Sequence, residues 1–429
     1  MSLAIDPGIA LIGSFLILVL LETPIAVALG VSGMLVIMTQ GLGVQIFAPV
    51  FFANISKFTL LAIPFFILAG VIMGRTGISD KIIRLVTLII GPIRGGLAIV
   101  TVLVALFWGA VSGSGPATVA ALGTILIPGM VENGYSRPFA AALVSASSGL
   151  AIIIPPSIAF IVYGVITNVS ISRLFLAGIV PGVLMGLALI IAAFLVSLVH
   201  GYRGKAWGTL REVWAAFKDA FWGLIAPIII LGGIYGGVFT PTEAAAVAVF
   251  YGLFVGFVVY RTLKLRDLYD LLVDSAVASA VVMAVVALAG IFGWCMTVLG
   301  TVEKVSSVMI GLSTNPLVVL LIINGILLVA GMLLDAISIY YILLPILMPI
   351  VYHFGWDPIW FGVMMTINLA IGQVTPPVAV NLYVGCNIAG INMDQISRAV
   401  IPFVVASVVA LVVIALMPGI TLWLPRLLM

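Results

Sequence analysis

Charge is what this sequence has least of. Of its 429 residues, 17 are Lys or Arg and 14 are Asp or Glu, together 7%. A soluble domain carries about 25%. So few charges cannot clothe a water-facing surface, which excludes a cytosolic enzyme. The net charge of +3 is too small for a nucleic-acid footprint, and 64% hydrophobic residues exclude a disordered chain. Cysteine is nearly absent. Cys295 and Cys386 stand far apart in apolar runs, match no metal or redox spacing, and read as small buried hydrophobes. The two histidines, His200 and His353, sit in polar connections without the partners of a catalytic triad. The sequence has no G-x-x-x-x-G-K-[ST], so it does not hydrolyse nucleotide through a P-loop. The start, MSLAIDPG, lacks the basic region of a cleavable signal peptide. No paired carboxylates and no Ser/Lys pair stand at depth, so the chain does not read as an enzyme, and no cofactor is expected.

What is present is apolar sequence in runs of about 20 residues along the whole chain, the signature of membrane helices. Spans are expected near 8–21, 24–39, 58–74, 139–166, 174–199, 222–238, 242–260, 275–300, 358–388 and 399–424. Two further runs, 95–131 and 316–351, are interrupted midway, at Ser112–Pro116 and around Asp335. Each half is under about 20 residues, so both read as re-entrant hairpins. With the N-terminus outside, only Lys57, Arg173, Lys304 and Arg426 fall in outer loops, and the other 13 basic residues fall inside. That split obeys the positive-inside rule and predicts a periplasmic N-terminus. It does not by itself separate a hairpin from a double crossing.

The chain reads as two related halves. Thr23-Pro24 recurs as Thr240-Pro241, and Leu68-Ala69-Gly70 as Leu288-Ala289-Gly290. Pro155-Pro156 recurs as Pro376-Pro377, 221 positions on, and Pro128 as Pro349 at the same offset. One half begins outside and the other inside, so the repeats are inverted. The expected fold is an all-α polytopic membrane protein with two inverted repeats, two hairpins and two broken helices, a build common in secondary transporters. The first repeat covers 1–199, with hairpin 95–131 and broken helix 139–166. The second covers 222–429, with hairpin 316–351 and broken helix 358–388. Between them, 200–221 carries Trp207, Leu210, Trp214, Phe217 and Phe221 on one face and charges on the other. It is expected to lie along the inner interface as a linker helix. The segments 78–90 and 264–274 are read as matching surface arms.

Four helix interruptions carry the functional expectation: Ser112–Pro116, Gly149–Pro156, Met332–Ser338 and Gly372–Pro377. Prolines free carbonyls that hydrocarbon cannot satisfy, so such breaks persist inside protein or at a watery cavity. Pro116, Pro156 and Pro377 are placed at the N1 position of a following half-helix. Half-helix N-termini attract anions, which makes Gly115, Pro116, Pro156, Ser157 and Pro377 candidate substrate residues. Asn368 and Gln373 could hydrogen-bond a substrate or tie helices together, and Asn381 reads as a tie. Of 14 acids, Asp335 alone falls at depth, at the second hairpin tip. A carboxylate there is functional by default. It is expected to bind sodium with Ser338 and carbonyls around Gly372–Thr375, or to cap a helix, or both. In the first half Ser112, Ser114 and oxygens near Ser148-Gly149 would serve a second ion. Glu243 reads as a capping carboxylate in a first helical turn.

These residues lie in stretches that resemble the large membrane subunit of the tripartite ATP-independent periplasmic (TRAP) transporters. The stretches are IPPSIAFIVYG from Ile154 to Gly164, SISRLFLAGIVPG from Ser170 to Gly182, GVFTPTEAAA from Gly237 to Ala246, and TPPVAVNL from Thr375 to Leu382. The resemblance covers essentially the whole chain. It implies a sodium-coupled importer of the ion transporter superfamily in a bacterial inner membrane, working as an elevator with scaffold and transport domains. It also implies a small four-helix membrane subunit, not fused to this chain, and a periplasmic binding protein that delivers an organic acid. The family's hairpin tips and breaks fall on Ser112–Pro116, Ser148–Pro156, Asp335–Ser338 and Gly372–Pro377. C4-dicarboxylates, keto acids, sugar acids and ectoine-like solutes are all compatible. A one-component anion carrier of the same fold and a non-transporting membrane scaffold are the alternatives.

Overall fold

The computed structural model describes residues 6–202, 204 and 207–429. Arg203 and Lys205, two of the inner-loop basic residues, and the first five residues lie outside that range. The described residues form helices and no strand. The first repeat opens with α1 (Pro7–Leu20), α2 (Ile25–Thr39), α3 (Phe47–Ile55) and α4 (Ala62–Arg75). An arm, α5 (Ile78–Ile90), leads to the hairpin α6 (Gly96–Ser112) and α7 (Gly115–Glu132). The broken span is α8 (Arg137–Ser148) and α9 (Ile158–Thr167), and α10 (Ile171–Val199) closes the half. The second repeat has α11 (Leu210–Tyr235), α12 (Pro241–Phe254), α13 (Asp267–Val298) and the arm α14 (Thr301–Leu312). Its hairpin is α15 (Pro316–Leu333) and α16 (Ala336–His353), its broken span α17 (Pro358–Gly372) and α18 (Val380–Ala389). Helices α19 (Met393–Leu416) and α20 (Pro418–Leu428) end the chain. Among the described residues, nine helices are long and apolar enough to cross a membrane.

The repeat is visible in the backbone. Gly77 and Gly300 both take the left-handed conformation, at φ 74° and 65°, to turn the chain into an arm. Pro155-Pro156 and Pro376-Pro377 are both cis. Packing is exchanged between the halves, as an inverted two-fold relation requires. Helix α2 packs on α13 while α12 packs on α4, and hairpin arm α7 packs on α18 while α16 packs on α9. Water drives none of this inside a bilayer, so close approach of small residues carries the packing. A Cβ on Gly109 would lie 3.0 Å from Ala151 Cα, and one on Gly331 would lie 3.1 Å from Gly372 Cα. In each half, the hairpin's first arm thus rests on the break of the next span.

Several boundaries differ from the sequence expectation. Residues 210–221 of the linker and 222–235 of the span form one helix, so the boundary drawn at 221/222 falls inside α11. Thr209 and Glu212 form a capping box at its start, and nothing between Lys218 and Trp222 breaks it. Charges mark where a helix meets water, not where it ends. For the same reason 264–274 is no separate arm: Asp267, Asp270 and Asp274 belong to α13. The counterpart of α5 is α14, whose Thr301 stands 223 positions after Ile78. The span drawn at 399–424 divides at Met417, where Pro418 opens α20. The prolines of the breaks also shift. Pro116 is the second residue of α7, but Pro156 precedes the cap Ser157, and Pro377 lies three residues before α18 begins.

Other expectations hold. Cys295 and Cys386 are buried free thiols. Glu243 caps α12, accepting from the Thr240 amide at 2.8 Å and the Thr240 hydroxyl at 2.9 Å. At the opening of the chain, Lys304 Nζ lies 2.8 Å from Asp6 and ties α14 to the start of α1. That hydrogen bond, helped by the Gly8 amide, holds the Asp6 carboxyl below its ordinary value. A depressed carboxylate stabilises above its unfolded value and ceases to as the pH falls through the folded one, so this exposed tie loosens only in strong acid.

Candidate functional site

The first hairpin turns in two residues. Ser112 ends α6, Gly113 N–H donates to the Gly109 carbonyl at 3.2 Å, and extended Ser114 leads into Gly115-Pro116. The Ser112 hydroxyl donates to the Ser114 carbonyl at 3.3 Å. A Cβ on Gly113 would lie 2.9 Å from the Pro156 carbonyl oxygen, so this tip rests on the first break. There Ser157 caps α9 by accepting from the Phe160 amide at 3.3 Å, while its hydroxyl donates to Ile152 at 2.5 Å. The Ser148 hydroxyl is spent on the Val144 carbonyl of its own helix at 2.7 Å. Gly149 packs against the Ala370 carbonyl of α17.

The second tip differs by one charge. Asp335 stands 221 positions after Ser114, and each is the cap residue of its hairpin's second arm. One Asp335 oxygen accepts from the Ile337 and Ser338 amides at 2.9 and 3.0 Å, and the other accepts from the Ser338 hydroxyl at 2.5 Å. Asp335 is therefore the helix cap that the sequence allowed. Its carboxylate is half-buried at the edge of a cavity. In the second break, Thr375 Oγ1 donates to the Ile371 carbonyl at 2.7 Å, and the Asn381 backbone N–H donates to the Gln373 backbone carbonyl at 3.1 Å.

Both tips line one cavity of about 280 Å³, with Gly113 to Pro116 from one hairpin and Asp335 to Ile337 from the other. Gln373 and Val380 join from the second break, Ile152 and Ile158 from the first, and Val281, Val282 and Val285 from α13. Asp335 is the one ionisable side chain of this lining. The N-termini of two 18-residue helices, α7 and α16, open here, so partial positive charge from the backbone surrounds a single carboxylate. An arrangement with anion-seeking amides and a hard anionic oxygen suits an anion together with a small cation.

The cavity thus gathers Ser114, Gly115, Pro116, Asp335 and Gln373 of the expected residues, and Ser338 stands behind Asp335. Ser112 faces an adjoining cavity. Asn368 is drawn elsewhere: its Nδ2 donates to the Asn324 carbonyl at 3.0 Å and to Asn324 Oδ1 at 2.9 Å, tying α17 to α15. Ser148, Gly149, Pro156, Ser157, Gly372, Thr375 and Pro377 shape the breaks without lining this cavity. Two residues stand closer than the sequence implied. A Cβ on Gly115 would lie 2.7 Å from Gln373 Oε1 and 2.9 Å from the Asn381 amide group, and Asn381 Nδ2 donates to the Ser145 carbonyl at 3.5 Å. The buried Gln373 Oε1, Asn381 Oδ1 and Ser145 Oγ have no protein partner. The repeat offset could have flagged Ser145, which stands 221 positions before Thr366.

Polar knots join the pieces around the cavity. Tyr163 of α9 donates to the Pro358 carbonyl at 2.6 Å and meets the Tyr340 ring edge-on, at 5.8 Å between centroids. Tyr340 of α16 and Thr366 of α17 share a buried hydrogen bond of 2.6 Å. Tyr340→Phe is expected to lower stability by about 1 kcal/mol, read as a lower melting temperature in detergent.

Comparison with known proteins adds the following. The family model described as tripartite ATP-independent periplasmic transporter, DctM component, matches residues 12–420. An isethionate TRAP transporter permease protein of Oleidesulfovibrio alaskensis is 42% identical over 98% of this chain, which spans 66% of that protein. A C4-dicarboxylate TRAP transporter large permease protein of Vibrio cholerae is 38% identical over 96% of both chains. The sialic acid TRAP transporter large permease protein of the same organism is 37% identical over 91% of this chain and 92% of its own. Among solved structures, the Alcanivorax borkumensis YdaH transporter matches with a TM-score of 0.66 over 96% of this chain and 98% of its own. At 14% identity that likeness concerns the fold alone.

Proposed function

We propose a function from one premise: the chain belongs to the tripartite ATP-independent periplasmic transporter family, as its large, DctM component. It is a multi-pass membrane permease, and its work is the inward passage of an organic acid on a sodium gradient. The observation that carries this reading is the meeting of both hairpin tips and the second break around one cavity with a single carboxylate. Carboxylate or sulfonate groups of the substrate take the amides at the start of α7, where the cap residue Ser114 makes no side-chain capping bond. Sodium takes the Asp335 carboxylate, Ser338 and carbonyls of Gly372–Thr375, and a second ion takes the Ser112–Ser114 turn with oxygens near Ser148-Gly149. Organic anions of this kind are named for the relatives: C4-dicarboxylate, sialic acid and isethionate. A small permease subunit and a periplasmic binding protein complete the machine, in the inner membrane with the N-terminus periplasmic.

The hairpins and broken spans, knotted by Tyr163, Tyr340 and Thr366, move as a transport domain against the spans that open each half, including α11 and α12. The domain slides as an elevator and exposes the site to either face in turn. One net charge carried through 100 mV contributes about 2.3 kcal/mol to the drive.

Uptake of labelled succinate, sialic acid and isethionate into proteoliposomes holding the chain with its small subunit and binding protein tests this. One of the three is expected to accumulate, with uptake falling to background in potassium medium or without the binding protein. Accumulation undiminished without sodium would sink the coupling, and undiminished uptake without the binding protein would sink the tripartite reading.

A further inference from the structure

A second cavity, of about 450 Å³, adjoins the site and shares Ser114, Ile158 and Val282 with it. It lies between the first hairpin on one side and helices α4 and α13 on the other. From Ser112 and Ser114 it runs past Gly70 and Gly74 to Arg75, the last residue of α4. Helix α13 shows the same direction of travel. Its Val281, Val282 and Val285 line the first cavity and its Ala278, nearer the helix start, lines the second. One turn further on, Asp274 meets Arg75 at 3.4 Å.

The α7 wall of this second cavity is built of small residues, Ala117, Ala120 and Ala121, while Trp108 of α6 and Ile67 and Val71 of α4 also line it. A Cβ on Gly70 would lie 3.6 Å from Ser112 Cα, so α4 touches the hairpin tip at that level. One turn on, a Cβ on Gly74 would meet nothing within 4 Å, so the space widens toward Arg75. Among the residues lining the two cavities, Asp335 is the one acid and Arg75 the one cation. Asp335 lines the first cavity alone and Arg75 the second alone, and the two cavities adjoin at Ser114, Ile158 and Val282.

We propose that this second cavity is the path by which the anionic substrate leaves the site, with Arg75 as the group that receives its carboxylate or sulfonate at the mouth. The proposal rests on the transport reading and deepens it. Guanidinium stays charged and binds a carboxylate through a planar fork, so it suits a two-oxygen anion better than a lysine would. Its present partner holds it weakly. The Arg75–Asp274 pair is a single contact between side chains 59% and 55% exposed, and an arriving anion can displace such a pair. Gly74 keeps the path wide at the level where the substrate passes. With the N-terminus periplasmic, as proposed above, this mouth faces the cytoplasm, where an importer must deliver.

Two experiments test the path. In the first, Gly74→Cys is labelled with a membrane-impermeant maleimide in right-side-out and inside-out vesicles, the native Cys295 and Cys386 being buried. Labelling is expected from the cytoplasmic face alone. Labelling from neither face, or from the periplasmic face alone, would overturn the path. In the second, uptake is measured with the complete transporter and whichever of the three anions the wild type accumulates. Increasing bulk at position 74 is expected to lower uptake in the order Gly, Ala, Leu, Trp, while binding-protein docking persists. Arg75→Gln is expected to slow uptake roughly tenfold, with Arg75→Lys between it and the wild type. Wild-type rates in Gly74→Trp and Arg75→Gln would overturn the path while leaving the transport reading standing. If the wild type itself carries none of the anions, the transport reading fails, and the maleimide result still reports on the path.

Discussion

Asp335→Asn should lower sodium-dependent uptake on the order of 10- to 100-fold, the loss expected when a charged hydrogen-bonding ligand is neutralised in a confined site. It should do so with little loss of stability. Asparagine caps helices about as well as aspartate, and its amide oxygen can still accept from the Ile337 and Ser338 amides that Asp335 now holds at 2.9 and 3.0 Å. The Asn amide nitrogen would face the Ser338 hydroxyl, which can accept in place of donating. Asp335→Ala separates the two roles from the other side. It removes the cap as well as the charge, and costs about 0.5–2 kcal/mol of stability besides. Uptake with melting temperature, measured for both variants, distinguishes a coupling carboxylate from a cap. Equal uptake by wild type and Asp335→Asn would leave Asp335 as a cap alone.

The second large effect concerns two glycines and no ligand. Gly331 of α15 and Gly372 at the end of α17 meet backbone to backbone, and a Cβ on Gly372 would lie 2.6 Å from Gly331 Cα and carbonyl carbon. Backbone atoms cannot swing aside as a side chain can, so Gly372→Ala must push the hairpin arm off the break. Overpacking of this kind costs about 1–3 kcal/mol, and it displaces the tip that carries Asp335. Uptake near background with a lowered melting temperature is expected. Gly325→Ala is the internal comparison. It lies on the same arm, a Cβ there meets nothing within 4 Å, and an alanine in a helix gains up to about 1 kcal/mol over glycine. Full activity in Gly372→Ala would show that the arm need not touch the break.

Much of this architecture was legible in the residues because a bilayer punishes irregular backbone. The breaks at Ser112–Pro116, Gly149–Pro156, Asp335 and Gly372–Pro377 show as breaks, and the recurrence of Pro155-Pro156 at Pro376-Pro377 revealed the repeat. Where charge and not proline or glycine marks a change along the chain, the sequence pattern misplaces the helix boundary. Lys218 and Asp219 suggest a surface segment that stops at 221, yet α11 runs through them. The arm at Thr301–Leu312 leaves no mark in the sequence pattern, because its turn depends on one left-handed residue, Gly300, that composition does not single out. The site itself was legible in its charged member and less so in its neutral ones. Asp335 stands out by cost. Ser145, Asn381 and Asn324 acquire meaning only from partners on other helices, 236 positions away for Ser145 and Asn381 and 44 for Asn324 and Asn368. Nothing in local sequence encodes such pairings.

The central claim, that the cavity between the tips holds a sodium ion through Asp335, is tested most directly by the melting temperature of the purified chain across a sodium series at constant ionic strength, with potassium as the balancing ion. A ligand that binds only the folded state stabilises it by about 2.7 kcal/mol at one hundred times its dissociation constant. The wild type is therefore expected to melt progressively higher as sodium replaces potassium, and Asp335→Asn is expected to respond weakly or not at all. A wild type indifferent to the exchange, or an Asp335→Asn variant that rises with sodium as the wild type does, would contradict the account.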